Sequence, residues 1–435
     1  MNDPGREQRE RLTRLFNDFL DRPTVHNSLK DSLERQLQDD PSYEPPRQII
    51  AIHEAEIRSS FAKNIQQKIR IVKSDFTLSA HDFAFIMTVP LSELQPGGSL
   101  SASNAAHTLQ SVLSRAYDLT GHFLQCLPET QKTKIATSNR TPSSLPLPAV
   151  RRSPRETARV DYREEPDDFD ERGPTEPRSD YDVGPVGRRT SEKDKCRMRD
   201  GNVCVVTGTQ NPEVCHIVPF KWNDTQQAIR ITDYVLFPTA VVLMGVQWSD
   251  ENTSLLRNPA QQGSSDKVWN MLCLNCQLHF WWPKCFFAFR CLGSVPILDA
   301  ETDRVSDSVH VRLQFYWLPH YEGRKNTTMN IDDWRTWVDD VDSFQRKGYS
   351  SLGSNVAASK ATTNFPIISG HIIHVKMTQA DAIPFKAMMD LQWAVTVIGA
   401  LSGGADPPEF DDYDDDDDEN DARVSNWAQE YAKQD

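Results

Sequence analysis

The sequence predicts an α+β protein, and three patterns predict it. Apolar residues recur at helical spacing through the first quarter of the chain. Apolar and polar residues alternate at strand spacing further on. Two stretches too polar to bury a core separate and end the folded parts. At 435 residues the chain has room for two or three domains, and 38% hydrophobic with 25% charged content suffices for a core.

Residues 1–127 read as a helical region. Leu12, Leu15, Phe16, Phe19 and Leu20 share one helical face. Ile49, Ile50, Ile57, Phe61, Ile65 and Ile69 make a second pattern. Leu109, Val112, Leu113, Tyr117 and Phe123 make a third, over Ala105 to Leu127. Pro45-Pro46 and Pro96-Gly97-Gly98 punctuate them. No chemistry-bearing cluster occurs here, and a helical bundle or a dimerising helical arm, able to self-associate, is expected. Residues 128–192 are dominated by Pro, Ser, Arg, Asp and Glu. They cannot bury enough apolar area to offset ordering entropy, so a disordered linker is expected.

Residues 193–322 carry the aromatic and cysteine density, and residues 323–405 read as an α/β extension of that region. His310–Leu318 alternates with Val311, Leu313, Phe315 and Trp317 on one face. Gly370–Met377 is a second strand, and Pro384–Leu401 is a helix closed by Gly403-Gly404. Residues 406–435 form an acidic tail with an unbroken run at Asp414–Asp418. Such dense like charge repels itself, and a solvated, disordered tail is expected.

The net charge of -14 argues at first against a nucleic-acid partner, but the excess is local. Asp406–Asp421 contains 11 acidic residues and no basic one, and the rest of the chain carries -3. Lys195–Arg290 has 9 basic against 7 acidic residues, so the bulk charge does not describe the middle of the chain. The first 40 residues lack the apolar core of a secretory signal, and no run of about 20 apolar residues suggests a membrane span. An intracellular protein is expected, in nucleus or cytoplasm. Seven of the 8 cysteines lie between Cys196 and Cys291, and they are expected as free thiols or metal ligands.

Three short segments carry the chemistry. Arg199–Gly208 reads as a turn, a short strand and a turn. Cys215–Phe220 reads as a strand ending at Pro219. Asn270–His279 reads as a strand entering a helix. His216, Asn270 and His279 therefore follow one another as His, Asn, His. Hydrolysis of a phosphodiester needs a base near neutral pH, which an imidazole supplies. It needs a cation against the phosphate. It also needs a group that fixes the loop aiming the base, and an Asn amide can do this through backbone bonds.

These segments resemble the HNH endonuclease family, in particular the HNH proteins abundant in filamentous fungi. The likeness rests on C-x-x-T-G at Cys204–Gly208, H-I-V-P-F at His216–Phe220 and N-x-L-x-L-x-x-x-L-H at Asn270–His279. Phe287-Ala288-Phe289-Arg290, Leu391-Gln392-Trp393 and the stretch Gly399–Ala405 extend it, so that it covers about 195–405. The resemblance implies an HNH ββα-metal core and a metal-dependent endonuclease. His216 would be the general base, Asn270 the loop brace and His279 the metal ligand. It also implies a divalent cofactor, with Mg²⁺ as the default and Mn²⁺, Ni²⁺ or Zn²⁺ as alternatives. The implied partner is nucleic acid, DNA ahead of RNA.

Two positions depart from the family pattern. Many HNH nucleases carry a carboxylate or His immediately before the first His, where this chain has Cys215. Many place another ligand four residues after the last His, where it has Pro283. Asp224, Asp233 and Asp250, in the insertion Lys221–Trp269, are candidates for a missing ligand. The alternative reading is a catalytically degenerate HNH fold that serves as a binding or regulatory module. Cys273-x-x-Cys276 is expected to be buried thiol rather than a zinc site, because a structural zinc takes four ligands. Phe280-Trp281-Trp282 with Phe286-Phe287 is expected to be core.

Overall fold

The computed structural model describes residues 4–22, 26–38, 42–124, 187–258, 261–298, 305–319, 327–349 and 356–403. Helix α1 (Pro4–Leu20) leaves Leu12, Leu15 and Phe16 exposed, and α2 (Asn27–Gln38) follows it. A helical layer comprises α3 (Ala55–Arg70), α4 (Ala80–Thr88), the short α5 (Leu91–Leu94) and α6 (Ala106–Phe123). The apolar stripe of α3 is its packed face, with Ala62, Ile65 and Ile69 buried at helical spacing. Helix α4 starts where Ser79 and Asp82 cap each other. The Ser79 hydroxyl accepts from Asp82 N–H at 3.1 Å and the Asp82 carboxylate accepts from Ser79 N–H at 2.9 Å.

Helix α7 (Thr190–Arg199) opens inside the stretch expected to be linker. Its first turn is ordered because Glu192 points inward, accepting from Val268 N–H at 3.0 Å and from Lys195 at 2.7 Å. Residues 128–186 of the expected linker, and the whole acidic tail, lie outside the described residues. Arg199–Gly208 forms turns with one bridge, Val203 to Gln210, in place of a strand.

Strand β1 (Glu213–His216) pairs antiparallel with β2 (Met271–Leu274), in the register His216 opposite Met271 and Glu213 opposite Leu274. Between them the chain makes α8 (Gln226–Met244), α9 (Val246–Asn252) and α10 (Ser254–Arg257). Helix α8 is long and apolar enough by composition to cross a membrane. Its Ile229, Ile231, Val235, Leu236, Ala240 and Val242 are buried, and it packs along α6. At that contact His122 stacks on Trp222 with ring centroids 4.8 Å apart, and Trp222 Nε1–H donates to His122 O at 3.2 Å.

Helix α11 (Cys276–Trp281) packs on both β1 and β2 and completes a ββα unit. Asn275 caps it, its side chain accepting from Leu278 N–H at 2.8 Å. The helix ends two residues before Pro283, whose ring would clash with a continuing turn. A three-stranded antiparallel sheet follows, ordered β3 (Phe287–Leu298), β4 (Val305–Trp317), β5 (Ile372–Thr378). The expected face of β4 is buried as read: Val311, Leu313, Phe315 and Trp317 are all in the core. Trp281, Trp282 and Phe287 join that core, while Phe280 stays 40% exposed.

Helix α12 (Trp334–Lys347) and the long α13 (Gln379–Leu401) complete the chain. Helix α13 starts five residues ahead of Pro384, because the Thr378 hydroxyl accepts from Asp381 N–H at 3.1 Å and caps it there. It packs on β3, α4 and α6. One continuous hydrophobic core therefore runs from Ile49 to Leu401.

Candidate active site

Asn270 closes the loop that follows β1. It is fully buried, in a 3-10 turn immediately before β2. Its Oδ1 accepts from Val218 N–H at 3.0 Å, and its Nδ2 donates to Val218 O at 2.9 Å and Ser265 O at 3.1 Å. Its own carbonyl accepts from Ile217 N–H at 2.8 Å. One amide thus ties the residues after His216 to the end of the inserted segment and satisfies three buried backbone groups.

His216 sits at the end of β1, its side chain only 7% exposed, stacked against Phe220 with centroids 5.6 Å apart. Its Nε2 bonds Asp266 Oδ1 at 3.1 Å, and Asp266 is 1% exposed. The other Asp266 oxygen accepts from Arg189 N–H at 2.5 Å. Burial lowers the His216 imidazole below its usual value. The Asp266 hydrogen bond opposes this, and Arg188 and Lys193 reinforce it. Burial raises Asp266, but the bonds from His216 and Arg189 outweigh it and hold the carboxyl below its usual range. The pair is thus a neutral imidazole donating Nε2–H to a carboxylate, which leaves Nδ1 as the basic nitrogen.

His279 lies on α11 at the opposite end of β1. Its Nδ1 is 2.5 Å from Glu213 Oε2, with the two side chains 43% and 35% exposed. Glu213 and Cys215 are two residues apart on a strand and share a face, while His216, at odd spacing, points to the other. Cys215 first, and then Glu213, raise the His279 imidazole above its usual value, the Cys215 charge counting only for a thiolate. Burial raises the Cys215 thiol, so Glu213, lowered mainly by its bond to His279, is the charged partner at neutral pH. No hydrogen bond or ring contact joins His216 to His279 among the described residues. Along β1, Glu213 and His216 are separated by about 10 Å.

The imidazole of His279 and the carboxylate of Glu213 converge at an accessible point, and that donor set suits a divalent ion. A second cluster has its donor atoms within 4.8 Å of one another: Cys196, Asp200 and Cys273. There the Arg199 guanidinium donates to Asp200 at 2.9 Å and to Cys196 at 3.4 Å, filling the place of a cation. Cys273 turns to Cys196, with sulfurs 3.8 Å apart, while Cys276 is exposed, so the C-x-x-C does not converge.

Of the three aspartates singled out in the insertion, Asp233 pairs with Arg257 at 2.6 Å and Asp250 is exposed. Among the described residues, Asp266 bonds His216 and Glu213 bonds His279. Glu213 was not singled out from the sequence; strand alternation, which puts it on the face of Cys215, is the signal that could have found it. Asp266 reaches His216 across 50 residues of sequence, and no local pattern marks it.

No curated protein and no solved structure matches this chain. Residues 204–290 match the family model described as HNH endonuclease, a span that takes in β1, Asn270, β2 and α11. The ββα unit around His216, Asn270 and His279 is an HNH domain.

Proposed function

We propose that this domain is a metal-dependent endonuclease that hydrolyses phosphodiester bonds, DNA ahead of RNA. The observation that carries the reading is the buried His216–Asp266 pair at 3.1 Å. Asp266 fixes the tautomer and ring orientation, and His216 Nδ1 takes the proton of the attacking water. Asn270 holds the loop that aims the ring. Arg188 and Lys193, close enough to depress His216, add positive field for a phosphate. Glu213 and His279 are the residues that would hold the divalent ion, which HNH nucleases generally use. When bound, such an ion neutralises charge on the phosphate and its leaving oxygen. An imidazole with a carboxylate suits Mn²⁺, Ni²⁺ or Zn²⁺ at least as well as Mg²⁺.

A second reading is supported by the Glu213–His279 pair. His279 in its charged form, closed on Glu213, is a complete interaction without metal, as a degenerate binding module would have. Incubating the full chain with supercoiled plasmid and with single-stranded RNA, in Mg²⁺, Mn²⁺, Ni²⁺ or Zn²⁺, separates the two. Cleavage above an EDTA control is expected of the nuclease. Intact substrate with every ion would sink that reading.

A further inference from the structure

Away from the histidines, the polar face of the three-stranded sheet opens into a cavity of about 500 Å³. Its floor is Arg290 of β3 with Arg312 and Gln314 of β4. Asp390 and Trp393 of α13 form one wall, the segment Glu44–Ile49 another, and Leu243 and Met244 at the end of α8 a third. The volume falls within the range of sites that hold small organic ligands.

The charges are unevenly spent. Arg312 pairs with Glu44, and Asp390 pairs with Lys386. Neither Arg47 nor Arg290 makes an ion-pair contact among the described residues, but Arg290 is close enough to Asp390 to lower its carboxyl against the rise that burial causes. With Arg312 and Glu44, the lining carries three arginines against two carboxylates. Both Arg47 and Arg290 lie close enough to Tyr316 to act on its phenol. The Arg290 guanidinium lies over the Trp393 ring at 5.4 Å, and Tyr316 meets that ring edge-on at 4.7 Å.

The segment bearing Arg47 is pinned in place. Tyr316 Oη accepts from Arg47 N–H at 2.9 Å and donates to Gln314 Oε1 at 2.7 Å, and Gln314 Nε2 donates to Glu44 O at 2.8 Å. Glu44 N–H donates to Gly370 O at 3.0 Å. Gly370 has φ +105°, and a side chain there would meet the Tyr43 ring and Glu44 O, so only glycine admits so close a strap. A pinned cavity lined by three arginines against two carboxylates, with an aromatic wall, carries the net positive charge that suits an oxyanion on an organic body. Planar forks bind phosphate oxygens in pairs.

We propose that this cavity binds a phosphate monoester of mononucleotide size, Arg47 and Arg290 holding the phosphate and Trp393 flanking the organic part. The test is calorimetry on the full chain in EDTA with adenosine 5′-monophosphate. Inorganic phosphate, adenosine and succinate serve as comparison ligands. Working without metal makes the outcome independent of whether the HNH domain cleaves anything. Binding of the monophosphate at one site is expected, at least tenfold tighter than adenosine or succinate. Arg47→Gln, an exposed position, and Arg290→Gln are each expected to weaken it at least tenfold while nuclease activity stays within twofold. Circular dichroism checks the half-buried Arg290 variant for folding, and Arg47→Gln stands alone if that variant unfolds. Absent binding at millimolar ligand, or binding unchanged in Arg47→Gln, overturns the proposal. Succinate binding as tightly as the monophosphate overturns the phosphate assignment.

Discussion

Asn270→Ala is the perturbation whose size the structure sets most directly. The side chain makes three hydrogen bonds, to Val218 N–H, Val218 O and Ser265 O, at 2.9–3.1 Å. Val218, Ser265 and Asn270 are all completely buried, so water cannot replace the lost partners. Stranding each of the three buried partners costs at least about 1 kcal/mol, so a loss of about 3–4 kcal/mol is expected. Urea denaturation followed by tryptophan fluorescence measures it, with an unchanged denaturant slope confirming that the folded state alone was altered. The same variant should lose most nuclease activity under conditions where it is still folded, because the loop after His216 is no longer fixed. A stability change below about 1 kcal/mol would refute the bracing role.

Three further outcomes are expected. Asp266→Asn should lower cleavage about a hundredfold or more with an unchanged circular dichroism spectrum, since His216 loses its orienting carboxylate; wild-type activity in this variant would remove Asp266 from the mechanism. Acidification should destabilise the protein in two windows, read by denaturation at stepped pH. His216 is depressed in the folded state, so stability falls as pH drops from about 6.5 toward its folded value, while the unfolded chain takes up the proton. Asp266 is also depressed, so its contribution, present above its ordinary value of 3.8, is lost as pH falls through its folded value. Phe287→Ala should cost about 3–5 kcal/mol, because the ring is fully buried and stacks on Phe315 at 5.0 Å between Trp282 and Phe289.

The elements that sequence made legible are those whose pattern is local. The strand alternation of β4, the apolar stripe of α3 and the strand-to-helix passage at Asn270–His279 each depend on spacing within about ten residues. The buried face of β4 and the strand-to-helix passage stand where the spacing puts them, while β4 begins five residues earlier than read. In α3, Ile65 and Ile69 are buried but Ile57 is exposed, and Ile49 and Ile50 precede the helix. The start of α13 was misplaced because Pro384 was read as the first turn. The capping pair Thr378 and Asp381 sets the boundary at Gln379, five residues before Pro384. The site divides the same way. The bonds of Asn270 follow from its place in the ordered His, Asn, His set. Asp266 is brought to His216 by the fold of the inserted helices and by Arg189 at the start of α7, a contact that no pattern within a short window encodes. The structure places the two departures from the family pattern. Cys215 is buried against the His279 side of β1, and Pro283 lies beyond the end of α11, where Glu213 takes up the ring instead.

The central claim is that His216 is the base. Plasmid cleavage should be timed for wild type, His216→Ala and His53→Ala, the last at a histidine whose side chain is 78% exposed. The expected result is a loss of about a hundredfold or more in His216→Ala alone, with His53→Ala at the wild-type rate. A folded His216→Ala protein that cleaves within twofold of wild type would contradict the account.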